Sequence, residues 1–418
     1  MSESYTAFHA VENVKQYLAQ HGFTCLLETE DWQITEGGKY YVIRNSSSIV
    51  AFTVGSLDGF CYKIVASHPD SPALKHKENP VNKGSFYATL NVEPYGVAIW
   101  HTFLDRPLKI AGRVVKKENG KLVNKCVCSD FNVCIPSLAI HQDRNVNDGF
   151  TVNKQVDLQP LLGLSDEELH TQSLLERVAG EGVLAYDLYL VNADMPYSFG
   201  INDEFLAAPR VDNLTSVYAS LLALTECENA NGVCIAAMLD NEEIGSKTMQ
   251  GADGDFLENV LRRIGYALRF DENEYFKALA SSFIFSMDNA HATHPNHPEK
   301  SDPTNKTALG GGIVIKSHAG KAYITDAMSA AVARTIFDKA GAKHQTFYNH
   351  SNLKSGGTLG AFVMSHVGIC GADIGIAQLA MHSACECFAK SDFMQAVKGL
   401  RAFYTTKIEC TEDGVIVE

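Results

Sequence analysis

Beyond residue 199 the chain alternates between two hydrophobic periods, and this alternation constrains the fold more than any other feature. Residues 214–225 carry apolar side chains at helical spacing, 233–239 is an unbroken apolar run of strand length, 255–263 is helical again, and 282–287 is a second apolar strand. The series continues with a strand at 312–316, a helix at 325–339, a strand at 344–348, a helix at 358–363 and a last helix from about residue 378. A strand that is apolar throughout is covered on both faces, and parallel strands need crossover connections such as helices. The expectation is an α/β fold with a mainly parallel sheet.

The preceding part differs. Residues 5–21 place Phe8, Val11, Val14 and Leu18 on one helical face, with Gly22 as a stop. Short strands are expected at 24–28, 40–44, 49–54 and 62–67. From 84 to 198 the pattern becomes β-rich, with segments at 86–92, 97–101 and 108–115, a turn at Asn119-Gly120 and a polar loop at 141–155. A helix is expected after Ser165, where Ser165-Asp166-Glu167-Glu168 resembles a capping box. We therefore expect a discontinuous domain at 1–83 and 199–418, interrupted by a β-rich insertion at 84–198. A length of 418 residues suits this organisation.

Composition removes several classes. There are 49 acidic and 35 basic residues, a net charge of −14, which argues against a nucleic-acid partner. No run approaches the ~20 apolar residues of a membrane span, and no basic, then apolar leader opens the chain. The eleven cysteines are scattered, without the C-x-x-C repeats of a zinc ribbon. They read as reduced, mostly buried thiols of a cytoplasmic protein.

Five segments carry chemistry. His68-Pro69-Asp70 follows a strand; a carboxylate two residues from a histidine can orient its ring, although the same residues suit a polar turn. Asp212-Asn213 opens a helix, so Asp212 is either an N-cap or a carboxylate with two oxygens to offer cations. Asp240-Asn241-Glu242-Glu243 ends the apolar run at 233–239. One glutamate there can coordinate while its neighbour accepts a proton from water; the plain alternative is a solvated acidic turn. Asp288 ends the next apolar strand, and His291, His294 and His297 follow. Pro295 interrupts their spacing, which favours roles other than ligation. His382 lies beside a helical apolar stripe, where a core histidine is the plain alternative. Together, histidines and carboxylates at strand ends, with one glutamate to spare and no cysteine, suit a catalytic pair of zinc-like ions.

The ordered motifs His-x-Asp-Ser-Pro, Arg-x-Asp-Asn-Leu, Asp-Asn-Glu-Glu-Ile-Gly-Ser, Ser-x-Asp-x-Ala-His-Ala-x-His-Pro-Asn and Asp-Ile-Gly-x-x-Gln-Leu-Ala-Met-His-Ser closely resemble the aspartyl aminopeptidase family of metallopeptidases. The resemblance runs from about residue 5 to about residue 400. It implies an α/β peptidase domain interrupted by a β-rich dimerisation domain. It also implies one ion held by His68, Asp212 and Asp288 and a second held by Asp212, Glu243 and His382. By the same resemblance Glu242 is the general base, Asp70 orients His68, and His141 acts in a neighbouring subunit's site. Lys316 and Tyr323 match the acid-selecting pocket, with a strand-end surface lysine as the alternative for Lys316. Also implied are two divalent ions per subunit (zinc, with manganese or cobalt as alternatives), peptide substrates with a free N-terminus and a tetrahedral homododecamer.

The expected function is release of N-terminal residues, preferably Asp or Glu. One alternative is an aminopeptidase of neutral specificity or another two-metal amide hydrolase. A non-enzymatic assembly protein is the other; intact Glu242 and Asp70 argue against it.

Overall fold

The computed structural model describes residues 2–411 and 413–418. Thirteen strands form one large sheet and six form a second. At the centre of the large sheet Val233–Met238, Tyr62–Ser67, Phe283–Met287 and Cys370–Leu379 lie side by side and parallel. Their alternating side chains feed two apolar layers. In Tyr62–Ser67, Ile64 and Ala66 enter one layer and Val65 the other. Helices Phe256–Ala267, Glu272–Ala280 and Gly360–Val367 pack on the first layer. Ala7–Gln20, Val211–Glu226, Ala327–Ala340 and Lys390–Thr405 pack on the second.

The α/β class is as expected, and the sheet is mixed. Ser48–Val54 runs antiparallel to Val233–Met238, and Ile313–Lys316 antiparallel to Cys370–Leu379. The expected helix from 378 is corrected. The apolar run there is the strand Cys370–Leu379, followed by a turn, the strand Glu386–Ala389 and only then the helix Lys390–Thr405. Ala380 (φ 56°) and His382 (φ 64°) are left-handed, which a right-handed helix does not accommodate. A strand buried on both faces shows no alternation, so it resembles a buried helix in sequence.

The second sheet is antiparallel and takes all its strands from residues 73–192, beginning with Ala73–Lys83 upstream of residue 84. A register shift between His76 and Val81 breaks the alternation of that strand and hides it from pattern reading. Residues 97–101 form no strand. Gly96 (φ 73°) ends Tyr87–Tyr95, and Trp100–Phe103 is a short 3-10 turn. The helix expected after Ser165 begins at Thr171, capped by His170, because the Ser165 N–H still donates to Phe86 at the sheet margin. Among the ten described cysteines of known placement only Cys61 and Cys234 are buried, while Cys25, Cys126 and Cys370 are exposed, which corrects the mostly buried reading. Cys25 and Cys126 lie on outermost strands of their sheets, where one side meets no further strand among the described residues. Among the described residues no helix is long and apolar enough to cross a membrane.

His76 is buried in the second sheet with neither ring nitrogen hydrogen-bonded, and burial lowers its pKa to about 4. Its unfolded value is about 6.5, so between these values the unfolded chain binds more protons than the folded one. Stability is thus lost as pH falls from about 6.5 to about 4, by at most ~1.4 kcal/mol per pH unit from this group. His76→Leu should flatten the fall in urea midpoint between pH 7 and pH 5 relative to the parent. An equal fall in both proteins would show that His76 finds a partner.

Candidate metal centre

The carboxyl ends of parallel strands lie together, and side chains just beyond them share one crevice. Here His68 follows Tyr62–Ser67, Asp240 to Glu243 follow Val233–Met238, and Asp288 follows Phe283–Met287. His382 stands on the turn after Cys370–Leu379, and Asp212 lies in the first turn of Val211–Glu226.

Asp212 is the hinge of the cluster. Its Oδ1 is 3.5 Å from His68 Nε2, and its Oδ2 is 3.6 Å from His382 Nε2. Asp288 Oδ1 joins the first side, 3.5 Å from His68 Nε2. Glu243 Oε2 joins the second, 3.3 Å from His382 Nε2. Ligating atoms converge in two groups, His68–Asp212–Asp288 and Asp212–Glu243–His382. A further grouping joins His68, Glu242 and Glu243. Glu242 Oε2 is 4.0 Å from His68 Nε2, so it borders the cluster without closing on it. Behind His68, Asp70 Oδ1 stands 3.3 Å from Nδ1.

The plain alternatives fail for several of these residues. Asp212 is 3% exposed with Oδ1 unpartnered, and it caps nothing. The Glu243 side chain is 3% exposed, so 242–243 is no solvated turn. Lys316 is 1% exposed rather than a surface lysine. Its Nζ donates to the carbonyls of Asp288 (2.8 Å) and Asn289 (3.3 Å) and lies 5.0 Å from the Tyr323 ring centre. His291, His294 and His297 join none of the convergent groups among the described residues. His141 sits on an exposed turn and is likewise outside them.

Crowded carboxylates set the electrostatics. Burial raises Glu242 to about 8; His68 pulls it down, while Asp288, Asp70 and Asp212 add repulsion. Burial also raises Glu243, against the pull of His382. Burial opposes ionisation of Asp212, yet His382 and His68 outweigh it and hold the carboxyl well below its usual range. Burial likewise opposes charge on His382, but Asp212 and Glu243 lift the imidazole to about 10. Asp212 Oδ1, Glu243 Oε1 and Asp288 Oδ1 are buried without a hydrogen-bond partner. Buried carboxylate oxygens left this way are costly unless a cation pairs with them. An imidazole and carboxylate donor set fits zinc, and equally manganese or cobalt.

Residues that sequence reasoning missed hold this arrangement. Buried Glu386 accepts the Asp212 N–H at Oε2 (3.0 Å) and the His382 N–H at Oε1 (2.7 Å). Gln378 donates to Glu386 (3.2 Å) and accepts from Asn289 (2.7 Å). The signal was present: Glu386 stands four residues beyond His382 in an otherwise small or apolar stretch.

The sequence model of the family described as "Aminopeptidase I zinc metalloprotease (M18)" matches residues 1–404. The chain belongs to the M18 family. Its activity class is therefore aminopeptidase, within a family of zinc metalloproteases. The M18 chain is 40% identical over 417 residues to "Probable M18 family aminopeptidase 2" of Clostridium novyi, covering 96% of each chain. It is 36% identical over 424 residues to the protein of the same name from Pseudomonas aeruginosa, covering 97% of this chain and 96% of the other. A chain in the cryo-EM structure of the Ape4 and Nbr1 complex superposes with TM-score 0.92 at 33% identity, over 96% of this chain and 83% of that one. The S. cerevisiae mApe1 dodecamer gives TM-score 0.82 at 29% identity, over 96% and 94%.

Proposed function

We propose that this M18 aminopeptidase releases N-terminal Asp or Glu from peptides at a two-cation centre. One observation carries the reading: Asp212 presents one oxygen to each of two histidine–carboxylate groups, an arrangement that would let it serve two cations. His68, Asp212 and Asp288 would hold one ion, and Asp212, Glu243 and His382 the other. When bound, such ions acidify water and polarise a carbonyl.

The chain's own residues do the rest. Glu242, beside the cluster and partly open, takes a proton from the attacking water and delivers it to the departing amine nitrogen. Asp70 fixes the ring of His68 through Nδ1, leaving Nε2 to face the carboxylates. Lys316 and Tyr323 form the positive, half-aromatic wall that reads the acidic side chain. Net charge of −14 does not oppose this, because the buried lysine and the cations make the interior locally positive.

We also assign the 73–192 sheet to assembly, with His141 on its exposed turn reaching a neighbouring subunit's site. The dodecamer of the S. cerevisiae relative supports a homo-oligomer. We place the protein in the cytoplasm, where exposed thiols such as Cys25 and Cys126 stay reduced.

The test is a kcat/KM profile over all N-terminal residues at defined zinc, manganese and cobalt loading, for the parent and Lys316→Ala. The parent should favour Asp and Glu, and the variant should lose at least about tenfold of that preference, as expected for a charged pair worth ~1.5–3 kcal/mol. A parent that favours neutral residues would support the neutral-specificity reading. An acidic preference surviving in Lys316→Ala would assign selection to another group.

A further inference from the structure

The segment that leaves the second sheet at Tyr95 reaches the cluster at several points. At the end of Tyr87–Tyr95 the Tyr95 hydroxyl donates to Asp70 Oδ2 (2.7 Å) and accepts from Asn241 Nδ2 (2.9 Å). A Cβ at Gly96 would stand 3.2 Å from the Glu243 Cβ, so the backbone there rests against the second glutamate. The Val97 carbonyl lies 2.6 Å from His382 Nδ1, and the Ile99 N–H donates to the His382 carbonyl (2.9 Å). Thr102 closes the series by accepting the Ala384 N–H (2.8 Å).

Each contact bears on a particular orientation. A carbonyl oxygen can only accept, so the Nδ1 facing Val97 carries the proton and Nε2 is free to face Asp212 and Glu243. Asp70 accepts the backbone N–H groups of Glu242 (3.3 Å) and Glu243 (3.2 Å), so it positions that turn as well as His68. Asn241, left-handed at φ 65°, is held on its far side by Thr248 and Gln250, each 2.9 Å from its Oδ1. The Tyr95 hydroxyl is thus the link between the second sheet, Asp70 and the glutamate turn.

We propose that segment 95–102 is a positioning strap for the metal centre and that Tyr95 is its positioning residue, acting through Asp70. The second sheet then has a part within its own subunit's site, apart from any part in assembly. This inference rests on the two-cation reading above.

Tyr95→Phe removes the hydroxyl and keeps the ring, whose edge contact with Tyr189 (5.5 Å between centres) needs no oxygen. The experiment takes the full-length zinc-loaded protein as parent, Tyr95→Phe, Asp70→Asn and the double variant. It reads kcat and KM on a peptide with N-terminal Asp, and zinc affinity by chelator competition. Groups that orient ligands typically matter by about 10–100-fold, so Tyr95→Phe should lower kcat and weaken one zinc by about tenfold, with KM within about twofold. In the Asp70→Asn background the same change should add less than about twofold, since the two act as one unit. Parental kcat and zinc affinity in Tyr95→Phe overturn the proposal, and so do losses that multiply in the double variant. If Asp70→Asn alone is parental, the orienting role of Asp70 fails, and with it the route through Asp70. If instead no variant or parent binds zinc, the two-cation reading itself has failed. Should Tyr95→Phe fold poorly, Tyr95→Met removes the same hydroxyl and fills the space of the ring with a flexible apolar side chain, with the same expected losses in kcat and zinc affinity and the same overturning result.

Discussion

Glu242→Gln is expected to lower kcat on an N-terminal Asp peptide by about 10²–10⁴-fold while zinc stoichiometry stays at the parental value. The amide keeps the shape of the carboxylate but cannot accept a proton from water. Glu242 lies 4.0 Å from His68 Nε2, outside both three-residue groups that meet at Asp212. Burial, with repulsion from Asp288, Asp70 and Asp212, raises its proton affinity. Metal analysis and steady-state kinetics on the same preparation separate the two roles open to it. Loss of turnover with zinc retained marks a base. Loss of one zinc together with turnover would make Glu242 a ligand, in the grouping of His68, Glu242 and Glu243. Near-parental turnover would remove it from the mechanism.

Asp212→Asn should have the other large effect, and a different one. Both histidine groups depend on this carboxylate, so both cations should be lost, and turnover with them. Asp288→Asn touches the His68 group alone and should cost one ion. Zinc at a hundredfold excess over Kd stabilises a folded protein by about 2.7 kcal/mol per site. The zinc-dependent rise in Tm should therefore vanish in Asp212→Asn and be reduced in Asp288→Asn. Two ions retained by Asp212→Asn would sink the shared-carboxylate arrangement.

Much of this site was legible in the chain because its residues sit where local pattern has meaning. Asp240 to Glu243 and Asp288 each end an apolar run of strand length, and the open crevice of an α/β sheet lies at such ends. The apolar stripe beside His382 reads as a helix and is a strand followed by a left-handed turn, yet the motif singles the histidine out all the same. Ala73–Lys83 escaped because its register shift erases the two-residue period. Val97 carries no side-chain signature at all, since its contribution is a backbone carbonyl that any residue provides.

The α/β class, the two faces of helices and the residue types that gather at the strand ends are written in the chain, because these follow from periods of a few residues. Tertiary structure decided the rest: Asp212 facing two histidines, Lys316 buried beside Asp288, Glu386 bracing two segments and the strap from the second sheet lying against His382. These distances depend on strand order and register between segments separated by up to 285 residues. Local periodicity does not encode that order; burial and hydrogen bonding of the whole chain select it.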